Sequence, residues 1–336
     1  MKKSLLLTWL LLICLEISAD DPDFYFNALG YKIISKTDLT CEVAQGNYGG
    51  EVYVPASVTY GGKTYTVIGI GENAFLGSRI TALSMANTIT YIGKSACMIC
   101  SQLRKVSISP SVLDIGDGAL QSGEKLETVT IEDGDELLVY NEVYLSYFYA
   151  FPSNIKTLYI GRNFTPNLFT AACGNVTDLT IGDQVTTFEI TNFPSLRRLT
   201  IGTGLKNIPY METGNYLTKI TVKSEIPQSC GGFNNRTYTN ATLYVPRGSL
   251  ESYRNAEVWS NFWTIEEYGL PTVIPGDSNG DGVVNVTDIV EIVNDILGHP
   301  SAKFDPIAAD VNGDGVVNVT DIVSVVNIIL SGSSGK

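Results

Sequence analysis

An apolar-x-x-apolar-x-apolar triplet returns seven times and confines the chain to a stacked architecture. It reads Ile80/Leu83/Met85, Leu103/Val106/Ile108, Leu126/Val129/Ile131 and Ile155/Leu158/Ile160, then Val176/Leu179/Ile181, Leu196/Leu199/Ile201 and Leu217/Ile220/Val222. Successive starts lie 23, 23, 29, 21, 20 and 21 residues apart. The last two members of each triplet alternate around one polar residue, as a short strand with one buried face requires. The first member sits where the chain turns into that strand. A unit of this size cannot bury its apolar surface alone, so neighbouring units supply the core. The expectation is a β-rich solenoid: short parallel strands forming one sheet over roughly 80–245, with turns and short helices on the other side and hairpins in front.

A second signature precedes several triplets: Ile70-Gly71-x-x-Ala74-Phe75, Ile92-Gly93-x-x-Ala96-Cys97 and Ile115-Gly116-x-x-Ala119-Leu120. Ile and the last residue read as core plugs, Ala as a close-packing position, and Gly as relief at a bend. Cys97 therefore takes the slot of Phe75 and Leu120. Cys97-Met-Ile-Cys100 also has redox or metal spacing, but its register favours buried free thiols.

A different pattern begins at residue 277. Asp277-Ser-Asn279-Gly-Asp281-Gly282-Val283-Val-Asn285-Val-Thr-Asp288 returns 33 residues later as Asp310-Val-Asn312-Gly-Asp314-Gly315-Val316-Val-Asn318-Val-Thr-Asp321. Oxygen donors at loop positions 1, 3, 5 and 12, with Gly at 6, are what a hard Ca²⁺ ion needs. Val283 and Val316 at position 7 are expected to offer backbone carbonyls. Asn285 and Asn318 at position 9 act directly or through water. The expected cofactor is two Ca²⁺ ions. Each loop leads into a helix-period run, Ile289/Ile292/Val293/Ile296/Leu297 and Ile322/Val325/Val326/Ile329/Leu330, with no helix expected ahead of the loops. Val284 and Val317 should tie the loops together. The C-terminal part is thus read as a small all-α domain of two calcium loop-helix motifs.

These motifs carry two resemblances. Residues 24–267 resemble the BspA-like bacterial leucine-rich repeat surface proteins, most closely over 48–131. Tyr48 to Pro55 and Val58 to Tyr65 are similar to that family's opening hairpins, and Leu243 to Pro246 with Tyr253 to Trp263 to its closing segment. Residues 277–331 resemble a type I dockerin, whose loops accept Asp at position 12. That resemblance implies a cohesin-like or other surface-protein partner, met by Val286, Thr287, Val293 and Asn294 and equally by Val319, Thr320, Val326 and Asn327. Identical sets imply docking in two orientations related by a half-turn. The basic residue that dockerins carry later in each helix is missing, with Gly298 and Ser331 in its place. The implied organisation is 1–19 signal peptide, 20–65 β-hairpin cap, 66–267 repeats with a terminal cap, 268–276 linker, 277–331 dockerin-like domain and 332–336 tail.

Composition narrows the chemistry. The formal charge of −13 opposes nucleic acid and anionic membrane surfaces. A single histidine, His299 in a Gly-His-Pro linker, excludes multi-histidine zinc sites and leaves no good partner for a serine or cysteine nucleophile. Lys2/Lys3, the apolar run Leu5 to Cys14 and the Ser18-Ala19 exit read as a secretory signal. Ile13 ahead of Cys14 argues against lipid attachment, and no later segment can span a bilayer. The 29-residue step holds Tyr140, Tyr144, Tyr147, Phe148, Tyr149 and Phe151 beside four carboxylates. It either forms a sugar or peptide patch or places Ala150-Phe151 in the Ala-Phe slot. The reading is a non-enzymatic secreted or cell-surface protein. Its repeats face a host protein or glycan, and its second module docks in a calcium-dependent way. A glycan-degrading subunit of a dockerin-assembled complex, or a surface protein with calcium as a staple only, are the alternatives.

Overall fold

The computed structural model describes residues 21–141, 150–169, 173–269 and 274–332, and the chain divides into two compact units at Glu267. The signal segment with Cys14, Tyr144, Tyr147, Phe148 and Tyr149, linker residues 270–273 and the tail past 332 lie outside the described residues.

The first unit is built on a ten-stranded sheet. Its central rungs, Arg79–Met85, Lys105–Ile108, Thr128–Ile131, Thr157–Ile160, Asp178–Ile181, Arg198–Ile201, Lys219–Val222 and Thr242–Pro246, are all parallel. Leu83, Val106, Val129, Leu158, Leu179, Leu199, Ile220 and Leu243 align Cα to Cα across them. Every triplet residue is buried. The ladder begins earlier than the triplets indicate, because Gly49–Val54 pairs in parallel with Arg79–Met85 and forms the first rung.

The opposite side departs from the expectation of turns and short helices. The Ile-Gly segments enter strands: Lys63–Ile70, Tyr91–Ile92 and Asp114–Gly116 pair in parallel, and Val139–Asn141, which lacks the motif, adds a fourth. They form an eight-stranded sheet with the antiparallel N-terminal strands Phe24–Phe26, Leu29–Ser35 and Thr40–Val43, and with the Ser57–Tyr60 hairpin arm. The glycines serve distance, not a bend. A Cβ on Gly93 would lie 2.6 Å from the Glu72 nitrogen, and one on Gly116 2.6 Å from that of Lys94. Coils this close exclude any side chain there. The left-handed residue is instead two places on, at Asn73, Ser95 and Gly118.

Loss of the Ile-Gly motif after residue 132 has a local cost only. The triplet sheet continues in register, while the second sheet ends at Val139–Asn141. Short 3₁₀ turns (Pro166–Phe169, Cys173–Asn175) and two-residue strand pairs take its place. Ala150 and Phe151 are buried, and Leu120 N–H donates to Ala150 O at 3.0 Å, so the insert does fill the Ala-Phe slot. Phe151 stacks on Phe169 at 5.0 Å. One cation is enclosed. Arg162 is fully buried and donates to the carbonyls of Pro110 and Ser109 at 2.7 and 3.0 Å, with Gly134 leaving room for its stem.

Two outcomes follow from the packing. Leu179→Ala removes a fully enclosed side chain and should lower unfolding free energy by about 2–5 kcal/mol in denaturant titration. Ile99 holds φ +61° while half-exposed, at the place where Gly77 sits one repeat earlier. A β-branched residue there is strained, so Ile99→Gly should raise stability by up to about 1 kcal/mol. A fall of that size would show the turn to be unstrained.

Candidate functional site

The second unit has a small apolar core: Ile292, Ala309 and Val325 are buried, with Val284, Ile289, Phe304, Val317, Ile322 and Ile329 packed around them. Val284 and Val317 therefore sit where the sequence places them. The helices Val286–Ile296 and Val319–Gly332 each follow one loop. A one-turn helix, Pro306–Ala309, precedes the second loop, where none was expected. Pro306 at its start and the Asp305 side chain accepting from Ile307 and Ala308 N–H explain it.

The two loops have nearly the same internal wiring. Asp277 accepts from Asp281 N–H at 3.1 Å and Gly282 N–H at 2.8 Å; Asp310 accepts from Asp314 and Gly315 at 3.2 and 2.8 Å. Asn279 and Asp281 accept from backbone N–H groups two residues ahead at 2.8 and 2.9 Å, and Asn312 and Asp314 do so at the same distances. Asp288 reaches back to Asn279 and Asn285 N–H at 3.1 and 2.8 Å, Asp321 to Asn312 and Asn318 at 3.2 and 3.0 Å. Asn285 and Asn318 accept from Thr287 and Thr320 N–H, both at 2.8 Å, capping the helices. Gly282 and Gly315 hold φ +88° and +85°, a turn that a Cβ would strain.

All twelve named positions thus fall within two matching loops. Among the described residues, however, no three His, Cys, Asp or Glu side chains converge as a metal-holding group. The carboxylates are turned onto loop N–H groups, and the Val283 and Val316 carbonyls accept from Asn285 and Asn318 at 3.1 Å. The donor chemistry still suits a hard cation: the side chains are carboxylates and amides, with no nitrogen or sulfur ligand. Asp288 and Asp321 are fully buried and form no ion pair among the described residues. Eight Asp and Glu291 face only Lys303 and Lys336 across 268–336. A buried carboxylate with only N–H donors is an undercompensated charge, which a cation would offset.

The helices leave an apolar stripe outside. Val286, Val290, Val293 and Leu297 are exposed on the first; Val319, Val323 and Leu330 are exposed on the second, with Val326 half-buried among them. The spacing of i, i+4, i+7 and i+11 places each set on one face. Of the helix-period runs, Val293, Ile296, Leu297 and Leu330 are exposed, because a core this small takes only one narrow face of each helix. Val290 and Val323 were not named from sequence; the i, i+4 step from Val286 and Val319 was the available signal. Asn294 is half-buried and Asn327 exposed. The Thr287 and Thr320 hydroxyls bond within their loops, to Asn285 and Asn279 and to Asn318 and Asn312, leaving each about one acceptor lone pair.

The thiols offer no comparable site. Burial pushes Cys41 and Cys173 up to about 12 and Cys230 to about 11. A hydrogen bond with Cys100, together with burial, pushes Cys97 well above the usual thiol range. His299 is exposed in its linker.

Residues 275–330 match the dockerin type I domain, and residues 63–146 match the BspA type leucine rich repeat region in six copies. The chain therefore joins a BspA-type repeat region to a C-terminal dockerin domain, both of them non-catalytic families. A leucine-rich repeat protein from Bacteroides ovatus is similar at 17% identity, over 73% of this chain and 76% of that one, with a TM-score of 0.34. Another from Bacteroides capillosus is 22% identical over 40% of this chain and 96% of that one, at 0.33. A leucine rich cell surface protein from Faecalibacterium prausnitzii is 17% identical over 72% of each chain, at 0.28. No match was found among curated proteins. No helix among the described residues is long and apolar enough to cross a membrane.

Thiols titrating at 11–12 are protonated at pH 8, so the native chain should label only slowly with a disulfide reagent, and fully once unfolded. Rapid native labelling of any one cysteine would mark a reactive site.

Proposed function

We propose that the protein is an exported, non-enzymatic recognition protein of the bacterial surface or its surroundings. In this reading the repeats form the binding platform, and the C-terminal domain attaches the molecule to a cohesin-like partner in a calcium-dependent way. The observation that supports this most is the duplication itself. Two loops of matching wiring each present an exposed valine stripe, so either helix can offer a partner the same surface. The first Ca²⁺ would be held by Asp277, Asn279, Asp281, the Val283 carbonyl, Asn285 and Asp288. The second would use Asp310, Asn312, Asp314, the Val316 carbonyl, Asn318 and Asp321. Bound there, the ion supplies positive charge that offsets three carboxylates per loop and couples loop order to helix order. The chain's own part is to hold those oxygens in a turn that only glycine allows, and to cap each helix from the loop.

Val286, Thr287, Val293 and Asn294, with Val290 added, form one candidate contact patch. Val319, Thr320, Val326 and Asn327, with Val323, form the other. Residues 1–19 act as a cleaved signal in this reading, so N-terminal sequencing of secreted protein should begin at Asp20. An intact Met1 or a lipid on Cys14 would refute it.

The test is calorimetry and cohesin capture with the full chain. Ca²⁺ titration should show two ions bound, and Asp277→Ala or Asp310→Ala one each. Against a panel of type I cohesin modules in Ca²⁺, Val286→Ser/Val290→Ser should weaken binding by no more than about twofold. Adding Val319→Ser/Val323→Ser should weaken it by about 100-fold or more, since both orientations then lose their apolar anchors. Binding unchanged in chelator would remove the calcium dependence. Two bound ions without any cohesin captured would leave calcium as a structural staple only.

A further inference from the structure

The ten-stranded sheet separates charge between its two rims. On the rim where the strands begin stand Arg104, Lys105, Lys125, Lys156, Arg197 and Lys219, all exposed. Glu51, Glu124, Glu127 and Asp178 stand on the same rim; Glu127 pairs with Lys156, and Asp178 is taken by Arg198. The rim where the strands end carries Glu132, Asp133 and Asp183, with Lys223 paired to Asp183 and Arg247 beyond the last rung. The pairing register lines Lys105, Thr128, Thr157, Asp178, Arg198 and Lys219 across successive rungs, so the cations gather towards the two ends of this stretch, Arg104 and Lys105 at one and Arg197, Arg198 and Lys219 at the other. A basic rim is notable on a chain of formal charge −13.

We propose that this leading rim, from Arg104 and Lys105 to Lys219, is a docking track for a linear uronate polysaccharide. The inference rests on the reading of the repeats as a recognition platform and names its ligand class. Charge density selects the ligand. Rungs lie about 4.8 Å apart, and the rim offers about one cation per rung. Duplex nucleic acid carries one charge per ~1.7 Å, about three per rung, which this rim cannot match and the remaining net negative charge repels. A chain of sugars with one carboxylate on each residue comes closer to the rim's spacing.

The neutral groups point the same way. A groove of about 330 Å³ crosses several coils on this rim, lined by Lys156 and Arg197 with Asn175, Thr177, Ser195 and Tyr216. Tyr216 is 57% exposed, and the Arg197 guanidinium lies 5.5 Å from its ring centroid. Amide and hydroxyl groups beside an exposed ring can hydrogen-bond sugar hydroxyls and cover a sugar face. Arg197 can reach its carboxylates, and Lys156 can do so by exchanging its Glu127 partner.

The experiment immobilises polygalacturonate and measures retention of the full chain in chelator, so that calcium cannot bridge the acidic C-terminal unit to the polymer. Dextran, duplex DNA and polyglutamate serve as comparison surfaces. Wild type should bind polygalacturonate alone, and more weakly as salt rises. Arg104→Gln/Lys105→Gln/Arg197→Gln/Lys219→Gln should weaken binding by about tenfold or more with an unchanged melting temperature; all four side chains are exposed, so folding is spared. Lys36→Gln/Lys63→Gln/Lys94→Gln/Arg247→Gln, the same charge change off this rim, should stay within about twofold of wild type. The proposal is overturned by three results: no binding by wild type, equal loss in both variants, or equal binding to DNA or polyglutamate. Of these, absence of polygalacturonate binding by wild type together with capture of another surface ligand would overturn the rim while leaving the platform reading standing.

Discussion

In-register parallel stacking is the constraint on which the first unit depends. Each coil contributes about three core residues and one short strand, too little to bury its own apolar surface. The Leu83-to-Leu243 row solves this by making every coil the wall of its neighbour. Backbone pairing fixes the spacing, and that spacing dictates the rest. Gly93 and Gly116 are glycines because adjacent coils leave no room for a Cβ, and outward side chains fall into straight rows along both rims. The charge separation exists only because the register holds.

How far this was legible in the sequence depends on what kind of signal each element left. The triplets were readable because burial repeats with the coil, and burial leaves apolar residues. The Ile-Gly strands were misread as bends because a glycine excluded by close approach looks the same in sequence as one needed for positive φ. The end of the second sheet was foreshadowed by the missing motif after residue 132. The cations of the leading rim left no local signal: they are scattered over more than a hundred residues and share one rim only once the rungs are in register. In the second unit the two duplicated loops were legible from sequence, since their repeat is local and identical in spacing. The helix faces were not, because periodicity shows that an apolar stripe exists without saying which part of it meets the core. Val293, Ile296 and Leu297 lie on the exposed part of the stripe and Ile292 on the buried part, a division the period alone does not make.

The two units solve the problem of small size in different ways. The repeat unit extends its core by adding coils. The C-terminal unit has only Ile292, Ala309 and Val325 fully enclosed among apolar side chains, and places the Asp288 and Asp321 carboxylates inside as well. Such a core is marginal by itself, and buried acids make it more so. In the proposed reading a divalent cation among these acids would offset their charge, and the exposed valine stripes, costly in isolation, would serve as the surface a partner covers.

The most direct test of this account is amide hydrogen exchange on the full chain with Ca²⁺ and with chelator. The account predicts that chelator lowers protection steeply across the loops 277–288 and 310–321 and the helices Val286–Ile296 and Val319–Gly332. The ladder amides from Lys105 to Val222 should keep theirs unchanged. Equal protection of the C-terminal unit in both conditions would contradict it, since its order would then owe nothing to the ion.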